Sequence, residues 1–343
     1  MAVCYVPNAM LYALLAEPGN LPTFAPLATR RLSWLDQAGP ACNEMLSAPR
    51  AAQSPKGLLL PPVESAGRYG AQGAATAVEA KCRVVAGVRA CELRAWRYLD
   101  AVLRSGEFED PAYRARRDAT VIVSCDCVDC ADSCFCTLVG GEPFCRDGYD
   151  VNLTALGEGF LVDIATERGR QWIGDTEDLQ QASSERLAER DRIREAMVER
   201  VRKQNEAFAF RASDQSQPAL PNDGDEAWQT FAADCVECGA CTNICPTCYC
   251  FYLYDQVLGP EEFERVRTWD SCLLSTYHRM AGGEDSKLSP RPSLYSRLAN
   301  RVLHKFAYSP QQTGHLGCVG CGRCVDACIG QIDIRRVVQE LGT

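Results

Sequence analysis

Two stretches of the sequence repeat one spacing of cysteines. Each follows the pattern C-x2-C-x2-C-x3-C, the first over residues 235–245 and the second over residues 318–328. Three thiolates at this spacing wrap one face of a [4Fe–4S] cubane, and in two-cluster ferredoxins the fourth cysteine ligates the other cluster. We therefore predict two [4Fe–4S] clusters with crossed ligands. The first ligand set is Cys235, Cys238, Cys241 and Cys328, and the second is Cys318, Cys321, Cys324 and Cys245.

Zinc is the alternative metal for these cysteines. Structural zinc sites take four ligands in two separated pairs, whereas each stretch has three evenly spaced cysteines and a fourth after three residues. Two details depart from a minimal ferredoxin. About 70 residues separate the stretches, which predicts an insertion, and Ile329 follows the second stretch where Pro246 follows the first. Crossed ligation would also couple cluster binding to folding.

Thirteen of the 21 cysteines lie outside these two motifs. Six of them follow a predicted strand: Cys125, Cys127, Cys130, Cys134, Cys136 and Cys145. Cys91 follows the preceding predicted strand. Open α/β sheets collect their sites beyond the carboxyl ends of parallel strands. We therefore predict a third cluster held by Cys91, Cys127, Cys134 and Cys136, with Cys130 as the substitute for any one of them.

Other interpretations of the remaining cysteines stay open. Isolated cysteines are often buried thiols that act as small apolar side chains, and this is also the alternative for the dense run. Three are expected to be of this kind: Cys4, Cys42 and Cys82. A rival third site at the domain interface would draw on Cys248, Cys250 and Cys272. The aromatic residues next to the first motif are expected to shield its cluster: Tyr249, Phe251, Tyr252 and Tyr254.

Runs of β-branched residues predict the elements that position these cysteines. Strands are expected over Cys82–Val88, Thr120–Ser124 and Gly159–Ile164, with a helix from Cys91 to about Ser105. This order of strand, helix and strand indicates a small α/β unit. Asp175–Phe208 contains no Gly or Pro and is rich in Glu, Arg and Gln, which predicts a long, largely solvated helix.

These features predict an α+β protein with four segments. Residues 1–75 would form a loop-rich N-terminal cap, and residues 76–175 a small α/β domain with the dense cysteine run. Residues 176–226 would form a helical spacer and linker. Residues 227–343 would form a bacterial-ferredoxin-like dicluster domain with a large insertion. A chain of 343 residues is long enough for two or three domains.

The composition excludes several classes of function. A net charge of −9 argues against a nucleic-acid partner, which would need clustered Lys and Arg. No apolar stretch approaches the roughly 20 residues that span a bilayer, and the first 16 residues lack the basic start of a secretion signal. A chain with this many cysteines and no secretion signal is expected in a reducing cytoplasm. Because the chain has three His and no Gly-rich phosphate loop after a strand, we expect no catalytic residue and no flavin or nicotinamide site.

Beyond the cysteine spacing, seven short motifs occur in the order of a known family. They are Gly87-Val-Arg-Ala-Cys91-Glu, Ser133-Cys134-Phe-Cys136-Thr, Thr166-Glu-Arg-Gly169, Cys245-Pro-Thr-Cys248-Tyr-Cys250-Phe, Trp269-Asp-Ser-Cys272, Met280-Ala-Gly-Gly283 and His304-Lys-Phe-Ala-Tyr308. Over roughly residues 76–343 the chain resembles the β subunit of cytosolic [NiFe] hydrogenase/sulfur reductase. That family also includes the A subunit of anaerobic sulfite reductase. The chain departs from the family pattern at Cys125, Cys130, Cys145, Glu284 and Asp285.

The resemblance implies an iron–sulfur electron-transfer subunit of a soluble oxidoreductase complex in anaerobic metabolism. Its partners would be a flavin/NAD(P)-binding or ferredoxin-linked subunit and a catalytic subunit. It also implies that the eight motif cysteines are ligands and that Cys91, Cys127, Cys134 and Cys136 are thiols typical of the family. One alternative is an enzyme that reduces sulfur or disulfide species at a non-standard cluster in the α/β domain. A redox sensor or assembly protein is another.

Overall fold

The computed structural model describes residues 2–16, 21–26, 32–34, 46–70, 73–75, 80–174, 179–277 and 289–342. Within these ranges the strands form one sheet of eight and one of four, and helices are also abundant. The predicted α+β fold is confirmed. The motif Met280–Gly283, residues Glu284 and Asp285, and Cys42 lie outside the described residues.

The strands in chain order are β1 (Ala2–Pro7), β2 (Thr23–Pro26), β3 (Leu32–Trp34), β4 (Val63–Gly70), β5 (Gly73–Ala75), β6 (Arg83–Val88), β7 (Thr120–Cys125), β8 (Val151–Leu156), β9 (Gly159–Ile164), β10 (Gln180–Gln181), β11 (Phe251–Gly259) and β12 (Glu262–Trp269). The helices are α1 (Asn8–Ala16), α2 (Lys56–Leu59), α3 (Ala90–Leu103), α4 (Pro111–Asp118), α5 (Glu167–Ile173), α6 (Ser184–Lys203), α7 (Gln229–Ala232), α8 (Ala240–Asn243), α9 (Leu294–Leu303), α10 (Ser309–Thr313), α11 (Arg323–Asp326) and α12 (Ile334–Leu341). A π-helical turn, His304–Tyr308, joins α9 to α10.

The eight-stranded sheet has the order β10-β1-β9-β8-β7-β6-β2-β3. Its centre is parallel, since β2 pairs with β6, β6 with β7 and β7 with β8 in that sense. Successive side chains of a strand point to opposite faces. Val121 and Val123 therefore pack with α1 and α5, while Ile122 between them packs with α3 and α4. Helices on both faces hold the central strands rigidly.

The segment predicted as an N-terminal cap, residues 1–75, does not form a unit of its own. Strand β1 lies between β9 and β10 in the large sheet. Strand β4 pairs instead with β12, which belongs to the insertion between the cysteine motifs. The alternation in these strands is weak and their partners lie far away in the sequence, so local patterns could not reveal either pairing.

The four-stranded sheet has the order β11-β12-β4-β5 and projects from the insertion. Every side chain of its edge strand β11 from Phe251 to Leu258 is exposed. The expected shielding role is therefore wrong for Phe251, Tyr252 and Tyr254, because a strand at the edge of a thin sheet has no covering layer. Tyr249, just before β11, is partly buried against the α/β core.

Helix α6 occupies the segment predicted as a spacer. It begins after Ser183, whose hydroxyl accepts a hydrogen bond from the Arg186 backbone N–H (3.4 Å). Most of the helix is polar and exposed, but Met197 and Val201 are buried. Both pack against thiols of the dense cysteine run. Among the described residues, no helix is long and apolar enough to cross a membrane.

The two cysteine motifs lie in a region that shares its core with the α/β part. Phe135, Leu138 and Val139 lie within the dense cysteine run, and they are buried with side chains of α9 and α12. The Phe135 backbone N–H donates to the carbonyl of Gly320 in the second motif (2.8 Å). The α/β part and the second motif are therefore packed as one body.

Candidate metal centres

Four thiols near the surface, here called the outer group, line one cavity: Cys235, Cys238, Cys241 and Cys328. Left-handed backbone at Glu237 (φ 52°) and Gly239 (φ 68°) bends the first motif around this space. Cys328 comes from the second motif. Cys238 is exposed, and Val236 and Ile329 beside the cavity are 61% and 74% exposed.

A deeper set, the middle group, consists of Cys245, Cys318, Cys321 and Cys324. All but Cys324 are buried. Cys318 and Cys324 pack in one apolar cluster, and Lys305 Nζ donates both to Cys245 Sγ (3.3 Å) and to the carbonyl of Gly317 (3.0 Å), the residue before Cys318. Burial is the main reason that the pKa of Cys318 rises to about 11 and that of Cys324 to about 12, with smaller contributions in the same direction from the neighbouring thiols of Cys245 and Cys321. The structure therefore brings together both predicted sets, each with three cysteines from one motif and one from the other.

A third set, the α/β group, consists of Cys91, Cys127, Cys134 and Cys136, which line a second cavity together with Cys130. Cys91 lies in the first turn of α3, directly after β6, and the others follow β7. Because β6 and β7 are parallel, their carboxyl ends meet at one edge of the sheet. The Cys130 thiol donates a hydrogen bond to Gln204 Oε1 (3.4 Å), at the side of the cavity next to α6.

Helix α6 and the residues after it close the cavity of the α/β group. Val201 lines the cavity. The side-chain amides of Gln204 and Asn205 both donate to the carbonyl of Cys134, at 2.7 and 2.8 Å. Arg194 of the same helix pairs with the buried carboxylate of Asp126 (2.8 Å). The helix that the sequence suggests to be a spacer is thus one wall of the site.

The middle group lies between the other two. Its Cys324 also lines the cavity of the outer group, and its Cys321 lines the cavity of the α/β group. Cys321 is in addition packed beside Cys91. The three sets therefore follow one another in the order outer, middle, α/β.

Buried cations stand beside all three sets of thiols: Arg50, Arg89, Arg301, Lys305 and Arg323. Arg50 and Arg89 line the cavity of the α/β group, and Arg301 lines that of the outer group. Lys305 Nζ donates to Cys245 Sγ of the middle group (3.3 Å). Burial opposes the charge on Lys305, but the sulfurs of Cys245 and Cys248 raise its pKa well above the usual value.

This donor set fits iron–sulfur clusters. Buried charges are stable only when they are paired, and a cubane with four thiolate ligands is an anion. Thiolates are also the ligands that such clusters prefer. Among the described residues, no three His, Cys, Asp or Glu side chains converge closely enough to hold a single metal ion. A cluster at each site would supply one-electron oxidation and reduction.

The cysteines outside the three groups have other surroundings. Cys125 and Cys145 are buried in the packed cores on either face of the large sheet. Cys4 is buried as expected, whereas Cys82 is exposed.

The rival cysteines form two thiol–thiol hydrogen bonds, and Cys250 is also near enough to Cys248 to raise its pKa. The Cys248 thiol hydrogen-bonds to Cys245, a member of the middle group. The Cys272 thiol donates to Cys250, and this bond is the main reason that the pKa of Cys250 falls to about 6. Cys248, Cys250 and Cys272 do not line the cavity of the α/β group.

Sequence reasoning did not identify the cations of the site. Arg323 directly precedes Cys324 in the second cysteine motif, and Arg89 lies two residues before Cys91 in a quoted motif, so both positions are usable signals. Arg301 and Lys305 are four residues apart, which places them on one face of a helix. Arg50 lies in the N-terminal segment, far from any cysteine motif, and nothing in its neighbourhood marks it. Its Nε donates to the carbonyl of Cys321, and its Nη2 to Ser133 Oγ (3.0 Å).

Comparison with known proteins places this geometry in context. Residues 234–332 match the 4Fe-4S dicluster domain family. The β subunit of sulfhydrogenase 2 from Pyrococcus furiosus is 31% identical over 263 residues, which is 75% of this chain and 73% of that protein. The β subunit of F420-dependent formate dehydrogenase from Methanocaldococcus jannaschii is 23% identical over 186 residues, 53% of this chain and 38% of that protein. No solved structure matches the chain.

Proposed function

Because the chain belongs to the family of the sulfhydrogenase β subunit, we propose that it is an iron–sulfur electron-transfer subunit of a multi-subunit oxidoreductase. Electrons would pass along three [4Fe–4S] clusters, at the outer, middle and α/β groups. The outer cluster would have Cys235, Cys238, Cys241 and Cys328 as ligands, and the middle cluster Cys245, Cys318, Cys321 and Cys324. The α/β cluster would have Cys91, Cys127, Cys134 and Cys136, with Cys130 as the substitute.

One observation carries this proposal. Cys324 of the middle group borders the outer cavity, and Cys321 of the same group borders the α/β cavity. Three redox centres in such a series form a path from the outer group, with its exposed Cys238, to the cavity beside α6. A storage or structural role would not require the middle group to touch both neighbours.

The partners in this proposal are a flavin/NAD(P)-binding or ferredoxin-linked subunit and a catalytic subunit. The names of both relatives are those of oxidoreductase subunits, which supports a protein partner. The exposed strand β11 supports it as well, since a contiguous exposed apolar surface is typical of protein–protein contacts. Anaerobic isolation of the native complex, with identification of each subunit, tests this part. Isolation of the chain alone, with all its iron, would contradict it.

Metal analysis of the anaerobically purified chain tests the clusters. Three cubanes require about twelve Fe and twelve sulfide per chain, and two require about eight of each. We expect about twelve. Stoichiometric zinc with little iron would overturn the whole proposal, and eight Fe would remove the α/β cluster from it.

A pair of variants locates the third cluster. Cys136→Ser should lower the iron content by about four atoms per chain, because it removes a ligand of one cubane. Cys125→Ser is the matched control, since Cys125 begins the same run but lies in the packed core outside the cavity. It should keep all its iron. Because Cys130 could replace Cys136, the double variant Cys130→Ser/Cys136→Ser is measured as well. Iron content in it equal to that of Cys125→Ser would mean that the α/β thiols hold no cluster.

A further inference from the structure

Three buried basic residues lie on one face of α9 and the π-helical turn that continues it. Arg297, Arg301 and Lys305 are spaced by four residues, so they stand one above another. All three are buried, and the two arginines are less than 5% exposed. A stripe of three buried positive charges is costly unless negative groups face it.

The first and last members of this stripe are satisfied by the protein. Arg297 donates to the carbonyls of Leu273 (2.9 Å) and Pro292 (2.7 Å) and pairs with Glu237. Lys305 Nζ donates to Thr247 Oγ1 (3.0 Å) as well as to Cys245 Sγ. Each therefore has conventional partners.

Arg301, between them, is different. Within the part of the chain that the structure describes, neither its Nε nor its Nη2 has a hydrogen-bond partner. The side chain lines the cavity of the outer group, next to Cys241 and Cys324. Burial opposes its charge, yet the sulfurs of Cys241 in the outer group and Cys324 in the middle group raise its pKa well above the usual value.

The position of Arg301 places one guanidinium between two sets of thiols. Leaving a buried charged donor unpaired is strongly unfavourable. Anionic clusters at the two sites would supply the missing acceptors through their sulfurs. Positive charge and hydrogen bonds to sulfur both favour the reduced form of a cluster, and so raise its reduction potential.

We propose that Arg301 is a positioning residue shared by the outer and middle clusters, and that its charge raises the reduction potentials of both. The inference rests on the proposed function, since it requires the clusters to be present. Lys305 is the natural comparison because it donates to Cys245 Sγ of the middle group and to Cys248 Sγ, which belongs to none of the three groups. Loss of the Arg301 charge should therefore change the reduction potentials of two clusters, whereas loss of the Lys305 charge should change that of one.

Redox titration of the full-length chain, followed by electron paramagnetic resonance, tests this inference. In Arg301→Gln both ferredoxin-type signals should shift to lower potential. At a fixed potential the ratio of reduced to oxidised cluster should fall about tenfold, which is about 59 mV for a one-electron couple. In Lys305→Gln only one signal should shift. Arg301→Lys, which keeps the charge, should restore most of both potentials.

The control is Arg336→Gln, because Arg336 is exposed and pairs with Glu340 at the surface. This variant should leave both potentials unchanged. Unshifted potentials in Arg301→Gln at full iron content, or a shift of one signal alone, would overturn the inference. If Arg301→Gln loses iron, Arg301→Lys decides: loss of iron there too would assign Arg301 a purely structural role. Absence of iron from the unmodified chain would instead contradict the proposed function.

Discussion

The two cysteine motifs share one spacing but stand in different surroundings. Left-handed backbone occurs at the same two places in each, at Glu237 and Gly239 in the first motif and at Gly320 and Gly322 in the second. In the first motif a glutamate adopts this conformation, and its half-buried carboxylate pairs with Arg297. Cys238 of that motif is exposed, so the first motif faces outward.

The second motif is packed against the α/β part. A Cβ atom on Gly320 would lie 2.5 Å from Cys136 Cα, and one on Gly322 would overlap the carbonyl of Ser133. At Gly239, the counterpart of Gly322, the nearest atom would be 3.4 Å away. Glycine is therefore required in the second motif by close approach as well as by the backbone angle.

One further position distinguishes the motifs. Ala240 of the first corresponds to Arg323 of the second. Arg323 is buried, donates to the carbonyl of Ala51 (3.1 Å) and pairs with Glu92 of α3. The comparison teaches that the spacing of the cysteines decides which atoms can be ligands, whereas the residues between them decide what the motif packs against.

The largest expected effect tests the crossed ligation that both motifs share. Cys245→Ala should lose about four Fe per chain, and these should come from the middle cluster, because Cys245 would be a ligand only there. Adding Cys318→Ala should remove no more iron. Adding Cys235→Ala instead should remove about four more.

Iron analysis of the two double variants distinguishes crossed ligation from ligation within each motif. Greater iron loss in Cys245→Ala/Cys318→Ala than in Cys245→Ala/Cys235→Ala would contradict the crossed assignment. Cys248→Ala is the control, because Cys248 contacts Cys245 without being assigned to any cluster. It should retain the iron of the unmodified chain.

The ion pair that only the second motif possesses should have the next largest effect. Glu92→Gln leaves the buried Arg323 without its counter-charge, which should cost about 3–5 kcal/mol of the free energy of unfolding. Glu340→Gln, which breaks the exposed pair with Arg336, should cost far less, because water screens both charges. Anaerobic denaturant titration measures both. Similar values would show that the contact between α3 and the second motif is not important for stability.

The comparison also shows what could be predicted from the sequence. Strands β6, β7 and β9 and helix α3 lie within two residues of their predicted ranges, because each is a buried run with a clear period. The parallel pairing of β6 with β7 is also what brings Cys91 and Cys127 to one cavity. Strand β8, which follows the dense cysteine run, was not predicted.

The remaining features depend on contacts between distant parts of the chain. The pairing of β4 with β12 joins residues about 200 positions apart, and Arg50 contacts Cys321 of the second motif across 271 positions. No local pattern encodes such contacts. The sequence did not reveal that α6 forms one wall of the α/β cavity. The helix is mostly polar, and its two buried residues, Met197 and Val201, are too few to mark a packed face.

Steric crowding at equivalent glycines should give a smaller effect. Gly322→Ala should lower the free energy of unfolding by about 2–4 kcal/mol, since it combines left-handed strain with an overlap against Ser133. Gly239→Ala should cost only the strain, about 1 kcal/mol. Denaturant midpoints of the anaerobic, iron-loaded proteins provide the test. Equal losses would indicate that the second motif is not held tightly against the α/β part.

The smallest effect concerns the order in which clusters are lost in air. Oxidation of iron–sulfur ligands follows their exposure. The outer group has an exposed thiol in Cys238, whereas the middle group has buried thiols in Cys245, Cys318 and Cys321. The isolated chain should therefore release iron in air in at least two phases, and the fast phase should belong to the outer cluster. In Cys235→Ala, which lacks that cluster, the fast phase should disappear. If the fast phase persisted in Cys235→Ala and disappeared in Cys318→Ala, the second motif, not the first, would be the one that faces outward.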